Sequence, residues 1–418
     1  MIYLDCHATT PCDHRVVEAM LPWLTQSFGN PHSDSHPMGR EAAEAIEQSL
    51  DAMSRRLGVA RDALLVTSGA TESNNLALRG VMGHPRCRRP KLVTCTTEHP
   101  AVLDVVDDLQ GQPLQGRDGS GRRIEVVRVG VHPNGHPAAG QIDLDQLAEA
   151  VDENTMLVSV MWANNETGVV QPIQEVAELV HRAGALLHCD ATQAIGRLPV
   201  DVRAADVDLL SGSAHKFYGP KGVGFLVAGN GNRRVRLRPQ IVGGGQQRGL
   251  RSGTMNPAGV VAMAKAMELA CDEMSTTAER LWGLRQQLWA DLCEGIGDLR
   301  LNGPAWPEAM PTPDAVSQLH RLPGNLNFQL PDFEGESWMA AASEVAFSSG
   351  SACSSTDATP SHVLLAMGLT ESQARRSVRF GLGRMLTADE LHRATEWLLA
   401  AADRVRSVNR GLVKGGRP

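Results

Sequence analysis

The sequence DLLSGSAHKFYGPKGVGFL, residues 208–226, places one lysine between two apolar runs. The runs are predicted strands, and a tight turn at 219–222 leads into the second of them. Lys216 lies on the short segment before this turn, among small residues. A lysine on a rigid, glycine-lined segment can be desolvated, which lowers the pKa of its amine enough for attack on a carbonyl. The stretch alone is equally compatible with a surface hairpin lysine.

Upstream of this stretch the sequence repeats a strand followed by a helix. Apolar runs that read as strands lie at 63–68, 91–95, 124–129, 156–163, 185–190, 208–213 and 222–228. Helical patterns fall between most of them. Continuous apolar strands that alternate with helices predict an α/β fold whose seven-stranded, mostly parallel sheet is covered on both faces.

The downstream part of the chain predicts a smaller α+β domain. A helical pattern runs from Asn256 to Gly295, and a strand at 325–330, a helix at 337–342, a strand at 376–380 and a helix at 388–405 follow. At 418 residues the chain is too long for one ordinary core. Two domains are therefore expected. We predict a large domain at 16–255, a small domain built from 1–15 and 256–408, and a disordered tail at 409–418.

Composition narrows the class of protein. Aromatic residues make up 4% of the chain and the net charge is −7, so direct nucleic-acid binding is not expected. The basic cluster at 233–238 is short and is read as a solvated face. No run of about 18 apolar residues suggests a membrane span. None of the eight cysteines forms a C-x-x-C pair, and no signal peptide is visible, so a reducing cytoplasm is expected.

Polar residues cluster directly after the predicted strands, where ligands of parallel sheets bind. A helix that opens at Ala70-Thr71 offers free backbone N–H groups for a phosphate. The other side chains at strand ends are His99, Asn165, Asp190, Gln193, Ser213 and His215, followed by Lys216.

One ligand accounts for all of these groups together. It has a phosphate for the helix start and Ser213, a planar ring for His99, a ring nitrogen for Asp190 and an aldehyde for Lys216. That ligand is pyridoxal 5'-phosphate. By contrast, the spacing of Cys6, His7, Cys12 and His14 fits no standard metal site, and no metal is expected.

The chain resembles the cysteine desulfurases of the NifS/IscS type, which belong to the class V aminotransferase superfamily of fold-type I pyridoxal-phosphate enzymes. The resemblance covers nearly the whole chain. Its motifs are YLDCHATTP (3–11), FGNPHS (28–33), TSGATESNN (67–75), TEHPAVLD (97–104), NNETGVVQPI (164–173), HCDATQAIG (188–196), SGSAHKFYGPKGVG (211–224), RSGTMNPAG (251–259), EGES (334–337), SSGSACSS (348–355) and VRFGLGR (378–384).

The resemblance implies a role for each matching residue. Lys216 would bond covalently to the cofactor, His99 would stack on its ring and assist proton transfer, and Asp190 would pair with the ring nitrogen. Gln193 would meet the ring hydroxyl. The phosphate would be held by Ala70, Thr71, Ser213 and His215, and by Thr254 of a second subunit in a homodimer. Asn165 and Arg379 would bind the substrate carboxylate; an arginine fork matches a carboxylate.

The resemblance also makes Cys353 the second nucleophile. Its loop, residues 348–361, is rich in small residues. L-Cysteine would give L-alanine and a persulfide on Cys353. In the family a loop of this length accompanies delivery of sulfur to protein acceptors, such as an iron–sulfur scaffold or a thiolation relay, and the acceptor here stays open.

Several features depart from the family or leave alternatives open. Cys6 and His7 stand where many relatives carry other polar residues, and the inserts at 108–122 and 303–324 have no assigned role. A selenocysteine lyase or another class V enzyme is the main alternative activity, although an aminotransferase needs no thiol such as Cys353. A non-catalytic protein of the same fold would not need Lys216, Asp190, His99 and Cys353 together.

Overall fold

The computed structural model describes residues 1–114, 121–307, 319–350 and 359–415, with side chains up to residue 408. The strands are β1 (Ile2–Tyr3), β2 (Leu64–Thr67), β3 (Lys91–Cys95), β4 (Glu125–Val129), β5 (Thr155–Ser159), β6 (Leu186–Asp190), β7 (Leu209–Ser213), β8 (Gly224–Ala228), β9 (Arg300–Leu301), β10 (Asn325–Gln329), β11 (Val345–Ala346), β12 (Ser348–Ser349) and β13 (Ser377–Gly381).

The helices alternate with these strands through the first half of the chain. They are α1 (His14–Met20), α2 (Pro22–Thr25), α3 (Pro37–Leu57), α4 (Ala70–Met82), α5 (Pro100–Leu109), α6 (Leu144–Ala150), α7 (Ile173–Arg182), α8 (Pro257–Asp272), α9 (Met274–Ile296), α10 (Gly335–Ala341), α11 (His362–Ala366), α12 (Glu371–Arg375) and α13 (Ala388–Gly415). Short 3₁₀ turns lie at Arg61–Ala63, Ala214–Lys216 and Gln247–Gly249.

The seven strands predicted from the first half form one sheet. Its order is β2-β8-β7-β6-β5-β3-β4, and β8 is antiparallel to both of its neighbours while the other pairs are parallel. The predicted seven-stranded, mostly parallel sheet is thus confirmed.

Neighbouring residues of each central strand enter different cores, because successive side chains of a strand point to opposite faces. One face packs on α4 and α5 and contains Leu65, Leu92, Leu157, Leu186, Leu209 and Leu226. The other packs on α3, α7 and α8 and contains Val66, Val93, Val158, Leu187, Leu210 and Val227. Burial on both faces explains why the strands read as continuous apolar runs.

A second core surrounds an antiparallel sheet of order β12-β13-β10-β9. Phe328, Trp338, Phe347 and Phe380 form its aromatic centre, covered by α9, α10 and α13, and Ile2 of β1 packs into it. Helix α8 packs instead against α3 in the first core. The domain division at residue 255/256 remains a proposal, and the packing of α8 favours a boundary beyond this helix.

Two expectations about helices were wrong. The helical pattern of 256–295 forms two helices that meet at Glu273, whose carboxylate is drawn into ion pairs with Arg15 and Arg384. Of the tail that was expected to be disordered, residues 409–415 continue helix α13, and Gly411 in its interior costs only about 1 kcal/mol of helix stability. In the described part of the chain, no helix is long and apolar enough to cross a membrane.

Candidate active site

Lys216 lies at the end of the 3₁₀ turn that follows β7. Its Nζ donates hydrogen bonds to the backbone carbonyls of His7 (2.8 Å) and Ala8 (2.7 Å). Burial, followed by the positive charges of Arg197 and Arg379, lowers the pKa of the Lys216 amine to about 7. The amine therefore reaches its neutral, nucleophilic form near neutral pH.

Asp190 ends the neighbouring strand β6 and is buried. Its carboxylate accepts hydrogen bonds from Asn74 Nδ2 (2.8 Å) and from the backbone N–H of Thr192 (3.0 Å). Asn74 lies one turn into α4 and was not singled out from the sequence. The signal was present, because a carboxylate at the end of a buried strand needs a donor and TSGATESNN offers one.

The start of helix α4 faces the end of β7. Gly69 precedes the helix, and within the described ranges no side chain caps its first N–H groups. A Cβ placed on Gly69 would stand 3.6 Å from Ser213 Oγ, so this hydroxyl lies beside the helix start. Ala70 is half-buried and Thr71 is exposed. Uncapped N–H groups at a helix start, with a hydroxyl beside them, suit a phosphate.

His215 follows β7 directly after Ser213 and Ala214, and it is neutral. Burial, with the charges of Lys216 and Lys221, lowers its pKa to about 4. Its Nδ1 lies 3.0 Å from Thr9 Oγ1, which fixes the ring. A nearby carboxylate, Glu72, is neutralised by Arg251, whose Nε lies 2.8 Å from Glu72 Oε1.

His99 follows β3 and caps α5, since its Nδ1 accepts a hydrogen bond from the N–H of Ala101 (3.0 Å). Burial lowers the pKa of His99. The charge of Asp190 raises this pKa, and the charge of Lys216 lowers it further. The charges of Asp190 and Lys216 thus reach the His99 ring. His99, Asp190 and Lys216 are therefore close enough for their charges to interact.

Glu98, next to His99, has a fully buried carboxyl that was not given a role from the sequence. Burial raises its pKa well above the ordinary range, which favours the neutral acid. Its Oε1 accepts a hydrogen bond from the N–H of Met161 (2.6 Å). The group fixes the segment after β3 against the segment after β5.

Arg379 of β13 reaches the site from the second sheet. Its Nη1 donates to the carbonyl of Asn165 (3.1 Å) and its Nη2 donates to Asp5 (2.7 Å). Both predicted carboxylate-binding residues therefore meet, through the backbone of Asn165. Gln193 is also buried here, where its Nε2 donates to the carbonyl of His7 (2.8 Å) and its Oε1 accepts from Arg197 (2.8 Å).

The N-terminal segment, residues 5–13, contributes backbone rather than metal ligands. Besides holding Lys216, it receives hydrogen bonds from Arg197 at the Cys6 carbonyl (2.9 Å) and is bonded to Tyr218 through Asp13 N–H (3.0 Å). Burial of the His7 ring, followed by the charge of Arg197, lowers its pKa well below the ordinary value. In the described ranges no three potential metal ligands lie together.

Two predicted residues are not brought to Lys216 in the described structure. Thr254 is exposed, on the loop before α8. Cys353 lies outside the described residues, as do parts of both inserts. The flanks of its loop are described: the N–H of Ser361 donates to the carbonyl of Gly350 (2.8 Å), and Ser361 Oγ donates to Glu166.

The described residues fit pyridoxal 5'-phosphate. An amine of lowered pKa, a carboxylate held by two donors and an uncapped helix start lie at the ends of β7, β6 and β2, which share one edge of the sheet. These are the groups that bind the aldehyde, ring nitrogen and phosphate of this cofactor.

Comparisons with known proteins agree with this arrangement. The model of the family "Aminotransferase class-V" matches residues 2–393. A protein of Anaeromyxobacter sp. (strain Fw109-5) named "Cysteine desulfurase IscS" is 45% identical over 98% of this chain and 94% of its own length.

Two solved structures share the fold. A "NIFS-LIKE PROTEIN" aligns with a TM-score of 0.81 and 33% identity, over 96% of this chain and 98% of that one. A structure titled "SspA in complex with cysteine" aligns with a TM-score of 0.73 and 32% identity, over 91% of this chain and 99% of that one. The chain therefore belongs to the aminotransferase class-V family, whose enzymes in general use pyridoxal phosphate.

Proposed function

We infer that this chain is a pyridoxal-phosphate-dependent cysteine desulfurase, which converts L-cysteine to L-alanine and leaves a persulfide on Cys353. The observation that carries the inference is the Lys216 amine, whose pKa falls to about 7 within reach of the charges of Asp190 and Arg379. The near full-length similarity to a cysteine desulfurase supports the choice of substrate and does not favour the selenocysteine lyase alternative.

Each predicted residue has a place in holding the cofactor. Lys216 would bond to its aldehyde and Asp190 to its ring nitrogen, with His99 against the ring and Gln193 near the ring hydroxyl. Ala70, Thr71, Ser213 and His215 would surround its phosphate. When bound, pyridoxal phosphate withdraws electrons from an attached amino acid.

The residues of this chain then act on the substrate. Arg379 and Asn165 bind its carboxylate, which orients the Cα–H bond. The neutral Lys216 amine takes the proton from Cα, since at its pKa of about 7 roughly half of the amine is unprotonated at neutral pH. The neighbouring His99, whose pKa is lowered by burial, is a neutral imidazole that can assist this proton transfer.

Cys353 completes the reaction as a thiolate. Its Sγ attacks the substrate sulfur, so that one S–S bond forms while the bond between Cβ and sulfur breaks. The released carbon takes up a proton and leaves as L-alanine, and the persulfide sulfur passes to an acceptor. A thiol is a few per cent thiolate near neutral pH, which is enough for attack.

The decisive experiment is mass spectrometry of the holoenzyme after incubation with L-cysteine. We expect a gain of one sulfur atom on the peptide that contains Cys353, with one alanine released. The Cys353→Ser variant should bind the cofactor normally and form no persulfide. Desulfuration that proceeds unchanged in this variant would remove Cys353 from the mechanism, and a wild-type enzyme that releases no alanine would overturn the function.

The proposal extends to assembly and location. The exposed Thr254 is suited to reach a cofactor phosphate in a second subunit, so we propose a homodimer. The seven cysteines within the described residues are all free thiols, which supports the expected reducing cytoplasm. The acceptor, an iron–sulfur scaffold or a thiolation relay, is left open.

A further inference from the structure

Arg379, which we propose to bind the substrate carboxylate, is already engaged by two other residues. Its Nη2 donates to Asp5 Oδ1 and to Ser348 Oγ, both at 2.7 Å, and Ser348 Oγ donates in turn to the same Asp5 oxygen (3.0 Å). Asp5, Arg379 and Ser348 form a closed triad, and the exposed fraction of the Arg379 side chain is 9%. The triad joins the N-terminal segment, β13 and β12.

The triad occupies the donors that a carboxylate would use. A guanidinium has five N–H donors and binds a carboxylate through two of them at once, either Nε with Nη2 or Nη1 with Nη2. Both N–H groups of Nη2 are taken here, and one of Nη1 goes to the carbonyl of Asn165. Nε is buried and has no partner among the residues that the structure describes. A substrate carboxylate can bind by two hydrogen bonds only if one Nη2 contact is released.

The two Nη2 contacts differ in strength. Both contacts have the charged guanidinium as donor, but the contact to Asp5 joins opposite charges and so adds Coulomb attraction to the hydrogen bond. The contact to Ser348 is to a neutral hydroxyl. Release of Ser348 is therefore the easier exchange, and Ser348 keeps its hydrogen bond to Asp5.

The backbone of Asp5 is fixed on both sides. The N–H of Leu4 donates to Ala346 (2.8 Å) and the N–H of Cys6 donates to Gly381 (2.9 Å), while Gly381 N–H donates back to Leu4 (2.7 Å). The Asp5 carboxylate is thus placed by β11 and β13, and two residues later the same segment holds Lys216 through its carbonyls. One short piece of chain sets the position of both cations.

We propose that Asp5 is a positioning residue, which holds the Arg379 guanidinium in place for the carboxylate of an amino-acid substrate while Ser348 gives way to that carboxylate. The proposal rests on the proposed function for the identity of the substrate. Ser348 precedes Cys353 by five positions in the sequence. Substrate binding would therefore break a hydrogen bond of β12, the strand that precedes the proposed nucleophile in the chain.

The test measures binding without turnover. The affinity of the holoenzyme for L-alanine and for ethylamine, which lacks the carboxylate, is followed through the visible absorbance of the cofactor. We expect Asp5→Ala to bind L-alanine about tenfold or more weakly, since a hydrogen bond between charged groups is lost. Its affinity for ethylamine should change by less than about twofold, because no carboxylate is involved.

Two further variants separate positioning from a general loss of structure. Asp5→Asn keeps an acceptor oxygen and should recover part of the L-alanine affinity. Ser348→Ala removes only the contact that the carboxylate displaces, so it should bind L-alanine as well as the wild type or more tightly. The matched control is Asp332→Ala, whose carboxylate pairs with Arg406 at 3.1 Å near the surface and should change neither affinity.

Three results would overturn the proposal. They are L-alanine affinity that is unchanged or increased in Asp5→Ala, an equal loss of affinity for ethylamine, or a loss in Ser348→Ala as large as in Asp5→Ala. Because L-alanine and ethylamine are not desulfurated, these outcomes do not depend on persulfide formation. A failure of the desulfurase function would appear instead in the mass-spectrometric experiment on Cys353.

Discussion

Two cations face the same site from different sheets, and they are held in opposite ways. Lys216 follows β7 of the parallel sheet, its amine donates to two backbone carbonyls, and burial together with two arginine charges lowers its pKa. Arg379 of the antiparallel sheet is paired with the carboxylate of Asp5. The surroundings of Lys216 favour loss of its proton, whereas the guanidinium of Arg379 has a carboxylate partner. A base and an anion-binding group can thus lie side by side.

Replacement of Lys216 should have the largest effect on this pair. Lys216→Ala removes the amine that we propose to bond to the cofactor and to act as the base. Desulfuration should therefore fall by about a thousandfold or more, and the visible absorbance of the lysine-bound cofactor should vanish. The control is Lys265→Ala, whose Nζ pairs with Glu268 (2.9 Å) on α8 and should leave activity unchanged. A Lys216→Ala protein with the wild-type spectrum would show that Lys216 does not bond to the cofactor.

The next largest effect tests whether cofactor binding needs the hydrogen bond from Asn74 to Asp190. Asn74→Ala removes the 2.8 Å hydrogen bond to Asp190, so the affinity for pyridoxal phosphate should fall about tenfold, the loss expected for a hydrogen bond to a charged group. Asn75→Ala is the matched control, because its side chain bonds to Thr71 and Arg79 of its own helix. Equal losses in the two variants would mean that Asn74 only stabilises α4.

The smallest effect should come from replacement of Glu98. Its carboxyl is buried with a raised pKa, whereas that of Asp5 is paired with Arg379. Burial raises the pKa of Glu98 and so favours its neutral form, and Glu98→Gln supplies a neutral group of the same shape. The oxygen that accepts from Met161 is retained, and we expect the free energy of unfolding to change by less than about 1 kcal/mol and activity by less than about threefold. Urea unfolding and steady-state kinetics measure both. A large loss would show that Glu98 acts as a charged carboxylate.

The parallel sheet could be predicted from the sequence because its information is local. Each buried strand is a continuous apolar run, and the polar residue that follows it, such as Asp190 or Lys216, is next to it in the chain. The break at Glu273 could not be predicted, since the ion pairs of Glu273 at this point join it to Arg15 and Arg384, both more than a hundred positions away.

The hydrogen-bond partners of the predicted site residues could not be predicted from the sequence either. Asp5 and Arg379 are 374 positions apart and meet only because Asp5, after β1, bridges to Gly381 at the end of β13. The hydrogen bond from Asn74 to Asp190 spans 116 positions. The sequence named the chemical groups, whereas their charge states depend on burial and distant neighbours.

The lowered pKa of Lys216 is tested most directly by the pH dependence of cofactor uptake. The apoprotein is mixed with pyridoxal phosphate, and the growth of visible absorbance is compared with that of a free lysine analogue under the same conditions. Only the neutral amine reacts, so a pKa of about 7 predicts a rate that rises about tenfold between pH 6 and 8 and then levels off. A rate that keeps rising about tenfold per pH unit to pH 10, in parallel with the free analogue, would contradict it.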